Sequence, residues 1–208
     1  MKVGGQLFTA EGPRAVEKLA DLGFEIFLDL KFHDIPNTVA GAVASAAQLA
    51  GIRLLTLHTL GGTAMMRAAR EAVPSKKKRP ALLGVTILTS MDAAALTEIG
   101  IADSPGTRAL ALARLAQESG LDGVVASAHE VRVIRAACGP KFLIVVPGVR
   151  PANSSTNDQS RVATPAEAIS WGADYLVVGR PITAAPNPRK AALGIAEEMA
   201  SAVPSRRS

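Results

Sequence analysis

At 208 residues the chain is long enough for one substantial domain and too short for two comfortable ones, so a single domain over 1–208 is expected. Hydrophobic residues make up 48% and aromatic ones only 3%, leaving Ala, Leu, Val and Ile to build a core suited to parallel strands under helices. The net charge of +5 does not mark a nucleic-acid binder, because much of it sits in Lys76-Lys77-Lys78-Arg79 and Arg206-Arg207, and one Trp and one Tyr offer no stacking platform.

In chain order, Lys2-Val3-Gly4 reads as the end of a strand. Helical spacing runs from Gly12-Pro13 to Leu22 and is closed by Gly23. A nearly continuous apolar strand begins at Phe24, and an Ala-rich helix follows from Pro36 to Ala50, ended by Gly51. Arg53 to His58 is a strand, Gly62 to Val73 a helix, and Ala81 to Leu88 a strand leading into Thr89-Ser90-Met91. Further on, a helix over Arg108 to Glu118 precedes a strand at Gly123 to Ser127. Glu130 to Ala137 is helical, and Phe142 to Val146 is a strand ending in Pro147-Gly148. Thr164-Pro165-Ala166-Glu167 opens a helix with a capping-box pattern, Tyr175 to Val178 is the last strand, and Arg189 to Ala202 the last helix.

This is a βα repeat without a linker, and so predicts a parallel sheet. No Gly-x-Gly-x-x-Gly follows the first strand, and polar residues recur at the ends of many strands. That distribution favours the (β/α)₈ TIM barrel, whose sites sit at the carboxyl ends of the strands. The count stops at seven strands, so the first βα unit is expected to be missing ahead of Lys2.

The stretch Phe24 to Thr38 organises the rest. Two charges, Asp29 and Lys31, interrupt its apolar run, and residues two apart on a strand share a face. Asp34 follows where the chain has turned, and Pro36 opens a helix. Opposite charges at the end of a buried strand cost desolvation energy, which marks a site more than a stability device. An ordinary salt bridge is the plainer alternative.

Asp29-x-Lys31-x-x-Asp34, with Phe27-Leu28 before it and Phe32-His33 and Ile35-Pro36-Asn37-Thr38 around it, resembles the signature of the orotidine 5'-phosphate decarboxylase family in its bacterial form. The resemblance implies decarboxylation of orotidine 5'-monophosphate to uridine 5'-monophosphate without a cofactor. Lys2, Asp29, Lys31 and Asp34 match the family's alternating charged array. Lys31 is then the proton donor, and Asp29 opposes the substrate carboxylate. Two unit charges ~4 Å apart at an effective dielectric near 20 repel by roughly 4 kcal/mol, a help but not the whole acceleration. Lys2 holds Asp29 in place; a flexible terminal lysine is the plainer reading. Asp34, Ile35 and Thr38 are implied to reach a neighbouring subunit's site, hence a homodimer, while Asn37 and Thr38 equally suit a helix cap.

The same resemblance assigns the remaining contacts. Thr89 and Ser90 match a pyrimidine-contacting turn, although a helix cap would also account for them. Pro147, Arg150 and Gln159 belong to a phosphate lid, with Ala152 to Asn157 a small, polar loop. Gly179 and Arg180, after the last strand, offer a backbone N–H and a forked donor to phosphate.

The three histidines, His33, His58 and His129, are not expected to converge, and no metal-ligand spacing is present, so the site reads as metal-free. The single Cys138 precludes an internal disulfide and reads as a small helix residue. No apolar run is long enough to span a membrane and no signal peptide precedes the first element, so a cytoplasmic location is expected. The rival readings are a magnesium-dependent sugar-phosphate decarboxylase of the same superfamily and a truncated barrel that binds nucleotide without turnover.

Overall fold

The computed structural model describes residues 1–73, 79–151 and 163–202. The basic run at 76–78, the lid loop from Ala152 with Asp158 and Gln159, and the tail arginines lie outside the described residues.

In chain order the elements are β1 (Lys2–Gly4), α1 (Gly5–Glu11), α2 (Pro13–Asp21), β2 (Ile26–Phe32), α3 (Pro36–Ala46), β3 (Ile52–His58), α4 (Gly62–Ala72), β4 (Ala81–Val85), α5 (Ala93–Glu98) and α6 (Pro105–Glu118). They continue as β5 (Gly123–Val125), α7 (Val131–Cys138), β6 (Leu143–Pro147), α8 (Pro165–Ser170), β7 (Tyr175–Val177), α9 (Arg180–Thr183) and α10 (Pro188–Ala202). All the strands expected from the sequence are present, most of them a few residues shorter or shifted. The helix after Pro36 stops at Ala46 rather than Ala50, and α1, α5 and α9 are additional to the expected helices. These three have only four to seven residues, too few to display a 3.6-residue period.

The chain divides into two compact units, Met1–Thr86 with Ala111–Val124, and Ile87–Leu110 with Val125–Ser208. In the first, β1, β2, β3 and β4 pair in parallel, each with the next. Their buried residues, among them Val3, Ile26, Leu28, Leu55, Leu57, Leu82 and Leu83, form a core with Val39 and Val43 of α3 and Met65 and Met66 of α4. Burying a side chain of this kind stabilises by about 1.5–3 kcal/mol, so the aliphatic composition suffices for a core. Gly84 is required in β4, because a Cβ there would lie 2.5 Å from the Thr59 Cγ2 methyl.

Asp122 closes this unit. Its backbone N–H donates to Leu82 O at 3.0 Å, its carboxylate accepts from Leu82 N at 2.8 Å, and Arg79 grips it bidentately at 2.6 and 2.7 Å.

The second unit repeats the device. β6 and β7 pair in parallel, and Asp174 accepts from Ile144 N at 2.7 Å while its own N–H donates to Ile144 O at 2.9 Å. Here Arg135 takes the place of Arg79, donating to Asp174 at 2.6 Å and to the carbonyls of Gly139, Phe142 and Gly172. The capping box expected at Thr164 forms: Glu167 N donates to Thr164 Oγ1, and the Glu167 carboxylate accepts from Thr164 N.

Candidate active site

The charged array lies in the first unit. Parallel pairing sets Gly4 of β1 beside Asp29 of β2, which brings the Lys2 side chain within reach of the Asp29 carboxylate. Lys2 Nζ donates to Asp29 Oδ2 at 3.1 Å and Lys31 Nζ to the same oxygen at 2.8 Å. Asp29 is 11% exposed and the two lysines 36% and 38%. Ammonium groups this exposed gain little stability from the pairing, about 0–1 kcal/mol. The arrangement therefore serves position and ionisation more than stability. Burial alone would raise the Asp29 carboxyl. The Lys31 hydrogen bond and the charges of Lys31 and Lys2 outweigh that and hold it below its ordinary value.

Asp29 and Lys31 do share a face, but not by simple alternation. Lys31 takes φ +52° and β2 slips register between Leu28 and Phe32. A sequence pattern cannot show this, because the strain is imposed by pairing with β3. Gly4 carries a further signal. A Cβ at that position would lie 2.8 Å from Lys2 Nζ, so the glycine leaves the path that lysine uses.

After β2 the chain turns outward. Ile35 N donates to Asp34 Oδ1 at 2.6 Å, and residues 33–38 are exposed, with Ile35 66% so. Ile35 is the N-cap residue of α3 and makes no side-chain cap bond; Asn37 and Thr38 lie inside the first turn. The capping alternative for these two is therefore not what the structure contains.

The expectation that the histidines stay apart fails for two of them. The rings of His33 and His58 lie 5.3 Å apart at 36°. Burial, then the charges of His33 and Lys31, push His58 below its ordinary value, against the pull of Asp29. The convergence is tertiary, since His58 comes from the next strand. Among the described residues no group of three or more His, Cys, Asp or Glu is arranged to hold a metal.

The second unit holds an open cavity of about 1150 Å³. Thr89, Ser90 and Pro147 line it together with Ser127, Glu130 and Gly148. Thr89 and Ser90 cap no helix; Asp92 caps α5 by accepting from Ala95 N at 2.9 Å. Glu130, which the sequence marks only as the start of a helix, is 7% exposed and accepts from Ser127 N at 2.9 Å. Burial pushes its carboxyl up to about 7.

Elsewhere in this unit, Gly179 is the N-cap of α9, where a Cβ would meet nothing within 4 Å, and Arg180 follows it with an exposed side chain. Arg150 is half-buried and its N–H donates to Ala163 O at 3.1 Å. Cys138, the last residue of α7, is buried.

Known proteins share this sequence and architecture. The family model for "Orotidine 5'-phosphate decarboxylase / HUMPS family" matches residues 1–195. The chain is 53% identical over 201 residues to an orotidine 5'-phosphate decarboxylase of Nitrosococcus oceani, covering 97% of this chain and 86% of that protein. It is 55% identical over 202 residues to the one of Halorhodospira halophila, covering 97% and 85%. The crystal structure of orotidine 5'-phosphate decarboxylase from Lactobacillus acidophilus superposes with TM-score 0.83 at 40% identity, over 95% of this chain and 85% of that one. The fold class read from the sequence, α/β with parallel strands of the TIM-barrel type, accordingly holds.

Proposed function

The chain belongs to the orotidine 5'-phosphate decarboxylase / HUMPS family, and on that premise we infer how it converts orotidine 5'-monophosphate to uridine 5'-monophosphate in pyrimidine biosynthesis. The bond from C6 to the carboxylate breaks, its electrons stay on C6, and carbon dioxide leaves. A cofactor-free enzyme must stabilise that charge electrostatically and protonate it at once. Lys31 is the cation beside C6 and gives it the proton. Asp29 stands against the substrate carboxylate, and Lys2 keeps Asp29 in place. The observation that carries this reading is the single oxygen of Asp29 held by two ammonium groups, at 3.1 and 2.8 Å.

In this reading Thr89 and Ser90 contact the pyrimidine, while Pro147, Arg150, Gln159, Gly179 and Arg180 serve the phosphate end. Their residue types suit these roles, with hydroxyls for a ring amide and backbone N–H groups and guanidinium forks for an oxyanion. Asp34, Ile35 and Thr38 complete the site of a second copy in a homodimer, and Asn37 is a further substrate contact. The support for this is an exposed, partly apolar turn immediately after the catalytic strand. No helix among the described residues is long and apolar enough to cross a membrane, and we place the reaction in the cytoplasm.

Loss of orotidine 5'-monophosphate absorbance, followed with chelator present, tests the chemistry. Turnover is expected to survive chelation and to fall by about 10²–10⁴ in Lys31→Ala, the range for removing a general acid. A Lys31→Ala enzyme at the wild-type rate would dismiss Lys31 as donor, and chelator-sensitive turnover would reinstate a magnesium-dependent mechanism. Ile35→Asp is expected to halve the mass measured by light scattering and to abolish turnover; an active monomer would end the shared-site reading.

A further inference from the structure

β2 is irregular where its charges sit. Leu28 pairs with Leu55 of β3 and Phe32 with Leu57, so three residues, Asp29, Leu30 and Lys31, stand opposite the single residue Thr56. Extra residues in one strand form a bulge, which bends the strand and re-aims its side chains. Lys31 absorbs the bend with φ +52°, a conformation that costs a non-glycine residue about 1–2 kcal/mol. Strain of this kind persists only where the surroundings over-determine it.

Thr56 supplies that determination. Its side chain is fully buried, and its hydroxyl makes two hydrogen bonds. It accepts from the backbone N–H of Lys31 at 3.0 Å and donates to Asp29 Oδ1 at 3.0 Å. The other carboxylate oxygen, Oδ2, accepts from Lys31 Nζ at 2.8 Å. The bonds close a ring: Lys31 backbone, Thr56 hydroxyl, Asp29 carboxylate, Lys31 ammonium. Both ends of Lys31 are thereby tied to one carboxylate, and the carboxylate cannot rotate without breaking a bond at each oxygen.

We propose that Thr56 is a positioning residue of the decarboxylation, whose hydroxyl locks the Asp29 carboxylate and the bulged Lys31 backbone together so that the ammonium is aimed at the reacting carbon. The proposal rests on the reading that Lys31 and Asp29 carry the chemistry. Thr56 acts through them. A buried threonine filling a strand for its β-branched shape would be replaceable by valine. A threonine placed for its hydroxyl would be replaceable by serine.

Thr56→Val, Thr56→Ser and Lys31→Ala, assayed in the full chain for kcat, KM and the pH dependence of kcat, separate these roles. The charged or titratable groups facing Asp29 are Lys2 from β1, Lys31 from β2 and His58 from β3, and none is altered by the Thr56 changes. Thr56→Val is expected to lower kcat by about 10- to 100-fold with KM little changed, the scale of a misplacement near 1 Å. It should also move the acidic limb of kcat to higher pH, because Asp29 loses a donor that favours its ionised form. Thr56→Ser is expected to stay within a few-fold of wild type. If Thr56→Val does not fold, Thr56→Cys, close in volume and a weak donor, should show the same two changes in smaller measure.

Valine or cysteine with wild-type kcat and an unmoved acidic limb would overturn the proposal. A serine variant as slow as the valine one would do so too. Lys31→Ala reports separately: if it keeps its activity, the underlying assignment of the chemistry has failed, whatever the Thr56 variants do.

Discussion

Lys2 and Lys31 reach the same oxygen of Asp29 from two neighbouring strands, at 3.1 and 2.8 Å. Two cations on one carboxylate leave a net positive charge there, and the carboxyl is held below its ordinary value of 3.8. A lowered value means that the stability Asp29 contributes is present above pH 3.8 and disappears as pH falls through its folded value. Both lysines are more than a third exposed, which keeps that contribution small.

Asp29→Asn should therefore lose turnover by about 10²-fold or more while losing no more than about 1 kcal/mol of stability at pH 7. Urea unfolding at pH 7 and pH 3 checks this: the gap between the two proteins should be small at pH 7 and narrower at pH 3. A variant badly destabilised at pH 7 would make Asp29 a structural residue first.

Glu130 predicts the opposite pH dependence. Burial raises its carboxyl from 4.5 to about 7, against the Ser127 backbone hydrogen bond that favours the ionised form. A raised value means that the folded protein binds the proton more tightly than the unfolded one. Its stability is fully present below pH 4.5 and lost as pH rises through about 7. The shift corresponds to about 3 kcal/mol at most. Glu130→Gln keeps an acceptor for Ser127 N–H without the buried charge. It should melt higher than wild type at pH 8 and match it near pH 4.5. Equal melting temperatures at both pH values would contradict the assignment.

The elements most legible in the sequence are those written in long apolar runs. β3, β4 and β6 carry runs of buried Leu, Ile and Val, β2 buries Ile26 and Leu28 in an apolar run, and Asp29 and Lys31 are conspicuous because they interrupt that run. The Thr164 capping box is readable because its two partners lie three residues apart. What escapes depends on another part of the chain. The bulge at Lys31 arises from pairing with β3, Thr56 looks like any β-branched strand residue, and the His33–His58 contact joins two separate strand ends. The twin motifs Gly120-Leu121-Asp122 and Gly172-Ala173-Asp174 are visible as text, but their meaning requires Leu82 and Ile144.

Those twin aspartates yield a prediction about stability alone. Arg135 donates to Asp174 and to the carbonyls of Gly139, Phe142 and Gly172, so truncating it leaves several partly buried acceptors without this donor. Each such loss costs on the order of 1 kcal/mol, because a charged donor is removed where water reaches only in part. Arg135→Ala should lower stability by about 2–3 kcal/mol. Arg79→Ala, which removes a bidentate grip on Asp122 and one carbonyl contact, should cost less. Denaturant midpoints of the two variants give the order. Arg79→Ala proving the more damaging would show that the two devices are not equivalent.

The tightest link between a small residue and the chemistry is at Gly4. A Cβ there would lie 2.8 Å from Lys2 Nζ, and the obstructed atom is the far end of a flexible side chain. The lysine can therefore move away cheaply, but not while keeping its 3.1 Å bond to Asp29. Gly4→Ala should leave the melting temperature nearly unchanged and lower kcat by about 10-fold, within the range for a misplaced positioning group. Lys2→Ala removes the same bond by another route. Because both substitutions act on one interaction, their effects should not add, and the double variant should be no slower than Lys2→Ala alone. Measuring kcat for the two single variants and the double variant decides the matter. Independent, multiplying losses would mean that Gly4 is needed for something other than the path of Lys2.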